Sequence, residues 1–162
     1  MELGLTFPLQ RFLKQSPPPY GTELDRRFCW DLHVITLRGN QCLLAVHCHC
    51  RYAFVRYDVT PLQWADLPAL FRAGLLDSLT AAGFSQELAA DYLNRAGAMD
   101  VTRTHGRREV AFLNRAWEDV LASDLCLDTD RTVNSRPSRC AGFDGLGTGL
   151  ERMAELLKRR ET

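Results

Sequence analysis

A chain of 162 residues with 46% hydrophobic and 25% charged side chains has enough apolar material for one globular domain and too much for wholesale disorder. Twenty Lys and Arg offset twenty Asp and Glu (Lys+Arg 20, Asp+Glu 20), and the pI is near 6.9; this excludes broad electrostatic attraction to nucleic acid or anionic lipid but leaves room for a local basic patch. No apolar run approaches the roughly 20 residues that span a bilayer, and MELGLTFPLQRF has neither a basic n-region nor a long apolar stretch, so a cytoplasmic protein with no membrane partner is expected.

Glu2 to Phe7 alternates as a short strand does, and Pro8 to Gln15 suits a helical turn or two. Ser16-Pro17-Pro18-Pro19-Tyr20-Gly21 breaks regular structure and reads as a surface connection, with a polyproline ligand as the functional alternative. Phe28 to Tyr52 then carries two β-rich runs about a Gly39-Asn40 turn, and holds four of the six cysteines and three of the four histidines. Alternation puts Cys29, Asp31, His33, Ile35 and Leu37 on one face of the first run, opposite Phe28, Trp30, Leu32, Val34 and Thr36. In the second run Cys42, Leu44, Val46, Cys48 and Cys50 oppose Leu43, Ala45, His47, His49 and Arg51. A two-residue turn sets Asp31 against Cys48; a three-residue turn shifts the pairing by one and gathers the histidines with Asp31. Both registers stay open. The second arm is expected to continue through Ala53 to Val59 after a bulge near Arg51.

Thr60-Pro61 and Asp66 signal helix starts, and Leu67, Leu70, Phe71, Leu75 and Leu79 form an apolar stripe ending at Gly83. Gly74 inside that stripe either weakens the helix or permits close packing. Ser85 opens a second helix that stops at Gly97, Met99 to Thr104 reads as a strand, and a helix runs from Arg107 to Ser123 on Val110, Leu113, Trp117 and Val120. Leu127 to Gly149, rich in Ser, Thr, Asp, Arg and Gly, reads as a loop, and Leu150 to Arg160 as a last amphipathic helix. The expected architecture is α+β: an antiparallel sheet of about four strands with helices packed mainly on one face. It divides into a single domain over 1–125, a tether over 126–149 and a C-terminal helix over 150–162.

Three constellations bear on chemistry. His47-Cys48-His49-Cys50 contains zinc-ligand types that Cys29 or Asp31 would complete, yet strand neighbours point to opposite faces and there is no C-x-x-C, so reduced, packed cysteines and no bound metal or cofactor are expected. Thr102-Arg103-Thr104-His105-Gly106-Arg107-Arg108 joins a strand to a helix start, where Arg, His and free N–H groups suit an anion. For catalysis there is neither G-x-S-x-G nor H-E-x-x-H, only histidines near Asp31 and the cysteines.

Phe28-x-Trp30, His33, the segment Gln41-Cys42-Leu43-Leu44-Ala45-Val46-His47 and Arg51-Tyr52 resemble an uncharacterised prokaryotic family of small domains of unknown function. Its members carry F-x-W-x-x-N, a K-C-L-L-x-x-N run ending in T-R-Y, and later T-x-x-R-S-V-L-G-S-M-N-D. Within Thr104 to Arg115, Thr104, Arg107 and Asn114 match that last motif, while Ala111 replaces Gly and Arg115 replaces Asp. Both hairpin Asn positions are His here, at 33 and 47. The resemblance covers roughly residues 1 to 122; it supports the fold and implies that Trp30, His33, His47, Arg51, Arg107 and Asn114 gather in one place, but it carries no activity.

The function expected is a non-catalytic binding or regulatory module that recognises an anionic group, a protein or a nucleic acid. The groove would comprise Trp30, His33, His47, Arg51, His105, Arg107 and Asn114. Its rivals are a small metal-independent hydrolase, a nuclease or phosphohydrolase using the hairpin histidines, and a structural zinc protein.

Overall fold

The computed structural model describes residues 1–123, 129–138, 145 and 147–159. Its centre is one mixed five-stranded sheet of β1 (Glu2–Leu5), β2 (Cys29–Leu37), β3 (Asn40–His47), β4 (Ala53–Arg56) and β5 (Asp100–Arg103), in the order β4-β3-β2-β1-β5. β1 lies inside the sheet, parallel to both β2 and β5, whereas β2–β3 and β3–β4 are antiparallel. The expected purely antiparallel sheet of about four strands is therefore corrected to a mixed sheet of five. Parallel neighbours need long crossovers rather than hairpins, and the chain supplies one between β1 and β2 and another between β4 and β5. The Ala53 segment does not extend β3; the chain reverses over residues 48–52, and β4 pairs back against it.

The hairpin turns at Arg38-Gly39, with φ of 49° and 80°, which is the left-handed pair that a two-residue type I′ connection requires. Pairs run from Leu37↔Asn40 to Trp30↔His47, two residues displaced from the pairing about Gly39-Asn40. A displacement of two preserves the faces, because side chains alternate with period two.

Helices, expected mainly on one face, cover both, with the greater number on one side. α3 (Leu67–Ala81) and α4 (Gln86–Ala96) pack with α7 (Gly149–Lys158) over Leu3, Leu5, Trp30, Leu32, Leu43 and Phe54. α5 (Arg107–Ala122) covers the other face, placing Leu113, Ala116 and Val120 on Ile35, Cys42, Leu44, Val46 and Val55. The helix starts are local: Asp66 and Ser85 accept from Ala69 N and Leu88 N, and Thr60 forms a capping box with Gln63 over the short α2 (Pro61–Trp64). Gly74 serves packing, since a Cβ there would lie 2.6 Å from Phe54 Cε2. The remaining elements are α1 (Phe7–Phe12), a 3-10 turn at Arg26–Phe28, and α6 (Thr129–Asn134), followed by a two-stranded ribbon of β6 (Pro137–Ser138) and β7 (Gly147–Thr148).

Part of the stretch read as a loop is thus helical. Residues 124–128, 139–144, 146 and 160–162, with Cys126, Cys140 and Arg160 among them, lie outside the described residues. α6 closes the β4 edge: Asn134 Oδ1 accepts from Ala53 N at 2.8 Å, its Nδ2 donates to Ala53 O at 2.7 Å, and Asp130 Oδ1 accepts from Val55 N at 2.9 Å. α7 places Met153, Leu156 and Leu157 in the larger core. Among the described residues no helix is long and apolar enough to cross a membrane.

Candidate functional site

Two arrangements stand out, on different parts of the sheet. The first is a buried polar cluster where β1, β2 and the end of β3 meet the loop between β5 and α5. Glu2, Cys29 and Asp31 share one sheet face by register, Cys48 follows directly after β3, and His105 descends onto them from the loop. His105 Nδ1 lies 2.7 Å from Asp31 Oδ1 and 3.5 Å from Cys48 Sγ, and its Nε2 donates to Glu2 Oε2 at 3.1 Å. The His105 side chain is 2% exposed. Burial opposes charge on that ring, but the hydrogen bond to Asp31 and contacts with Cys29 and Cys48 hold its pKa far above the ordinary imidazole range. Burial also acts against the Glu2 carboxylate, yet the Glu23 and Thr22 amides and His105 keep it below its usual value. The Cys48 thiol is pushed up to about 12 by burial.

The second arrangement begins with His47. Its ring is wholly buried against Trp30, edge-on at 4.7 Å, and Nε2 donates to Arg27 O at 3.0 Å while Nδ1 accepts from the backbone N–H of His49 (3.0 Å) and Cys50 (3.1 Å). Burial drives its pKa down to about 3. The neutral ring therefore acts as a template for the 48–52 reversal. That reversal is closed by His47 N donating to Tyr52 O and Arg51 N donating to His47 O. It leaves Arg51 at φ 62°, a left-handed conformation that costs a non-glycine residue about 1–2 kcal/mol.

Arg51 is thereby aimed at α5. Its Cζ sits 3.5 Å from the Phe112 ring centroid, with Arg108 Cζ 5.4 Å from the same ring. Arg51, Phe112, Arg115, Asp119 and Arg136 line a cleft of about 80 Å³. Arg136 and Asp119 are paired at 2.5 Å.

The residues expected to share one groove are distributed as follows. Trp30 and His47 lie together beneath α3 and α4, where Trp30 Nε1 donates to the Tyr92 hydroxyl at 3.0 Å. His33 lies on the opposite face, with Nδ1 2.7 Å from Thr6 Oγ1 and its ring edge-on to Trp117, and burial lowers its pKa. His105 belongs to the buried cluster rather than to an open anion loop. Arg107 and Asn114 are exposed on α5, the helix that Arg51 meets through Phe112. The sheet thus separates His33 from His47. The sequence reading missed Glu2, Phe112, Arg115 and Arg136. For Glu2 the available signal was a carboxylate two residues from Gly4 in a strand, which marks one face as polar and crowded.

Residues 2–136 match the family model of a domain of unknown function, DUF6933. This agrees with the resemblance to an uncharacterised family of small domains. A search of curated proteins found no match.

Proposed function

We propose that this chain, which belongs to the DUF6933 family of domains of unknown function, is a non-catalytic binding module that recognises an anionic group through the cleft between Arg51 and α5. The observation that carries the reading is Arg51 itself. A non-glycine residue is kept in a left-handed conformation by a buried histidine template, and its guanidinium is stacked on Phe112 beside Arg115 and Arg136. Backbone strain of this kind persists where surrounding contacts enforce it, and it concentrates at ligand-binding positions. The guanidinium groups of Arg51, Arg115 and Arg136 line the cleft together with the Asp119 carboxylate, in a chain of zero net charge.

Size narrows the ligand. Sites for whole small molecules run to roughly 300–1,000 Å³, several times the 80 Å³ here. The cleft suits one phosphate or carboxylate displayed on a larger partner, and a planar guanidinium fork matches either group bidentately. Catalysis by His33 or His47 is not favoured, because they are 6% and 0% exposed and each is engaged within the fold.

Fluorescence anisotropy with a labelled mixed-sequence single-stranded oligonucleotide, repeated with inorganic phosphate as competitor, tests the reading. Arg115→Ala, on the helix surface, should weaken binding about tenfold and reduce its salt dependence, with the folded spectrum unchanged. Equal affinity for both proteins would refute this use of the cleft.

A further inference from the structure

The buried cluster under His105 is independent of the arginine cleft. We infer that it is a binding site for one divalent transition-metal ion, zinc being the best fit, with Asp31, Cys48 and His105 Nδ1 as ligands and Glu2 as the group that orients the imidazole. Five side chains able to bind metal converge here from the ends of three strands and one loop, and Glu2, Cys29, Asp31 and Cys48 are each no more than 6% exposed. One carboxylate, one thiolate and one imidazole form a mixed O, S and N set that suits zinc rather than magnesium or calcium.

The geometry selects one nitrogen of the ring. Zinc–nitrogen and zinc–sulfur bonds of about 2.0 and 2.3 Å in a tetrahedron set the two donor atoms about 3.5 Å apart. The Nδ1–Sγ separation is 3.5 Å. The Nδ1–Oδ1 separation of 2.7 Å has to open by roughly half an ångström, since a tetrahedral N–O edge is about 3.3 Å. On the far side of the ring Nε2–H is given to Glu2, itself fixed by the amides of Thr22 and Glu23. A carboxylate on one imidazole nitrogen with metal on the other is a recurrent device for setting the tautomer of a metal-binding histidine. The other candidate trio, Glu2, Cys29 and His105 Nε2, is poorer because the Arg26 guanidinium lies 3.9 Å from Cys29 Sγ.

Glycine at position 4 is a further mark of a built site. A Cβ there would stand 2.2 Å from Asp31 Oδ1 and 3.0 Å from His105 Nδ1. Charge also balances in both states. Without metal, the His105 imidazolium lies between two carboxylates, with Arg26 close by. On binding, the ion replaces the Nδ1 proton of His105 and the Sγ proton of Cys48, both of which leave to solvent. The resulting Asp31, thiolate and neutral imidazole compensate its two positive charges. Three protein donors leave the fourth tetrahedral position to a solvent ligand.

The test uses full-length reduced protein, stripped with chelator and titrated with Co²⁺, then displaced with Zn²⁺. One equivalent of Co²⁺ should give tetrahedral visible bands with a thiolate-to-cobalt charge-transfer band. That band should be lost in Cys48→Ser and kept in Cys42→Ser, and Glu2→Gln should weaken Zn²⁺ binding by 10- to 100-fold. Should Cys48→Ser fail to fold, X-ray absorption on zinc-loaded wild-type protein decides, with one sulfur at about 2.3 Å and the remaining ligands nitrogen or oxygen expected. No thiolate band in wild-type protein, a band that survives in folded Cys48→Ser, or a zinc shell with no sulfur or more than one, would each overturn the assignment and leave the cluster an internal ion-pair network.

Discussion

His47 and Arg51 show how one buried side chain sets the conformation of a half-buried one. The Nδ1 atom of His47 accepts the N–H groups of residues 49 and 50, as an Asn oxygen does in an Asx turn. The imidazole adds a consequence that an amide lacks. Its pKa of about 3 in the fold, against 6.5 ordinarily, means that the folded state binds fewer protons at this ring than the unfolded chain. Its stabilising contribution is complete above pH 6.5 and is lost as pH falls towards 3, by up to about 1.4 kcal/mol per pH unit. Denaturation midpoints measured across that window should show this acid limb in wild-type protein. His47→Asn should be less stable at pH 7, having lost the bond to Arg27 O, but flatter in acid. An equally steep limb in the variant would mean that other groups cause it. At Arg51, replacement by Gly removes the left-handed strain but also the packing on Phe112. Arg51→Gly should therefore leave unfolding free energy within about 1 kcal/mol of wild type while abolishing anion binding. A loss of several kcal/mol in a urea melt would show that the guanidinium is chiefly structural.

At the scale of elements, two contacts invite measurement. Asn134 gives the β4 edge the donor and acceptor that a neighbouring strand would supply, which blocks pairing with another chain. Asn134→Ala leaves the amide and carbonyl of Ala53 without that partner. It should cost about 1–3 kcal/mol in chemical denaturation and raise the tendency to aggregate in light scattering. Gly74→Ala gains helix propensity of about 1 kcal/mol but drives a methyl into the Phe54 ring; the crowding should win, lowering the melting temperature. A rise in melting temperature would show that the ring can move aside. These two cases also show what sequence reveals at this scale. α2, α3 and α4 were legible because Thr60, Asp66, Ser85 and Gly97 write their boundaries locally, and α5 because its apolar residues recur at helical spacing. The hairpin faces were legible from alternation, but its turn was not, because Arg38 occupies a left-handed position more often given to Asn or Gly. β1 was legible as a strand from its alternation, but its place in mid-sheet was not, because its pairing with β5 joins residues nearly a hundred positions apart. For the same reason Asp31 and His105 were each noticed, but their contact across 74 residues was not.

Across the whole molecule, the sheet acts as a partition. Trp30 and His47 belong to the larger core, His33 and the His105 cluster lie on the other face, and the strained 48–52 reversal at the end of β3 and β4 reaches α5 with Arg51. One groove holding every notable polar residue is therefore replaced by an interior cluster and a surface cleft that differ in burial and in chemistry. The proposed function resides in the cleft. Its most direct test is a ¹⁵N-edited NMR titration of arginine side chains in the wild-type protein with inorganic phosphate. The Nε–H resonances of Arg51 and Arg115 should shift together, saturably and with a common Kd that rises with salt. Shifts confined to Arg107 and Arg108, or none that saturate, would contradict it.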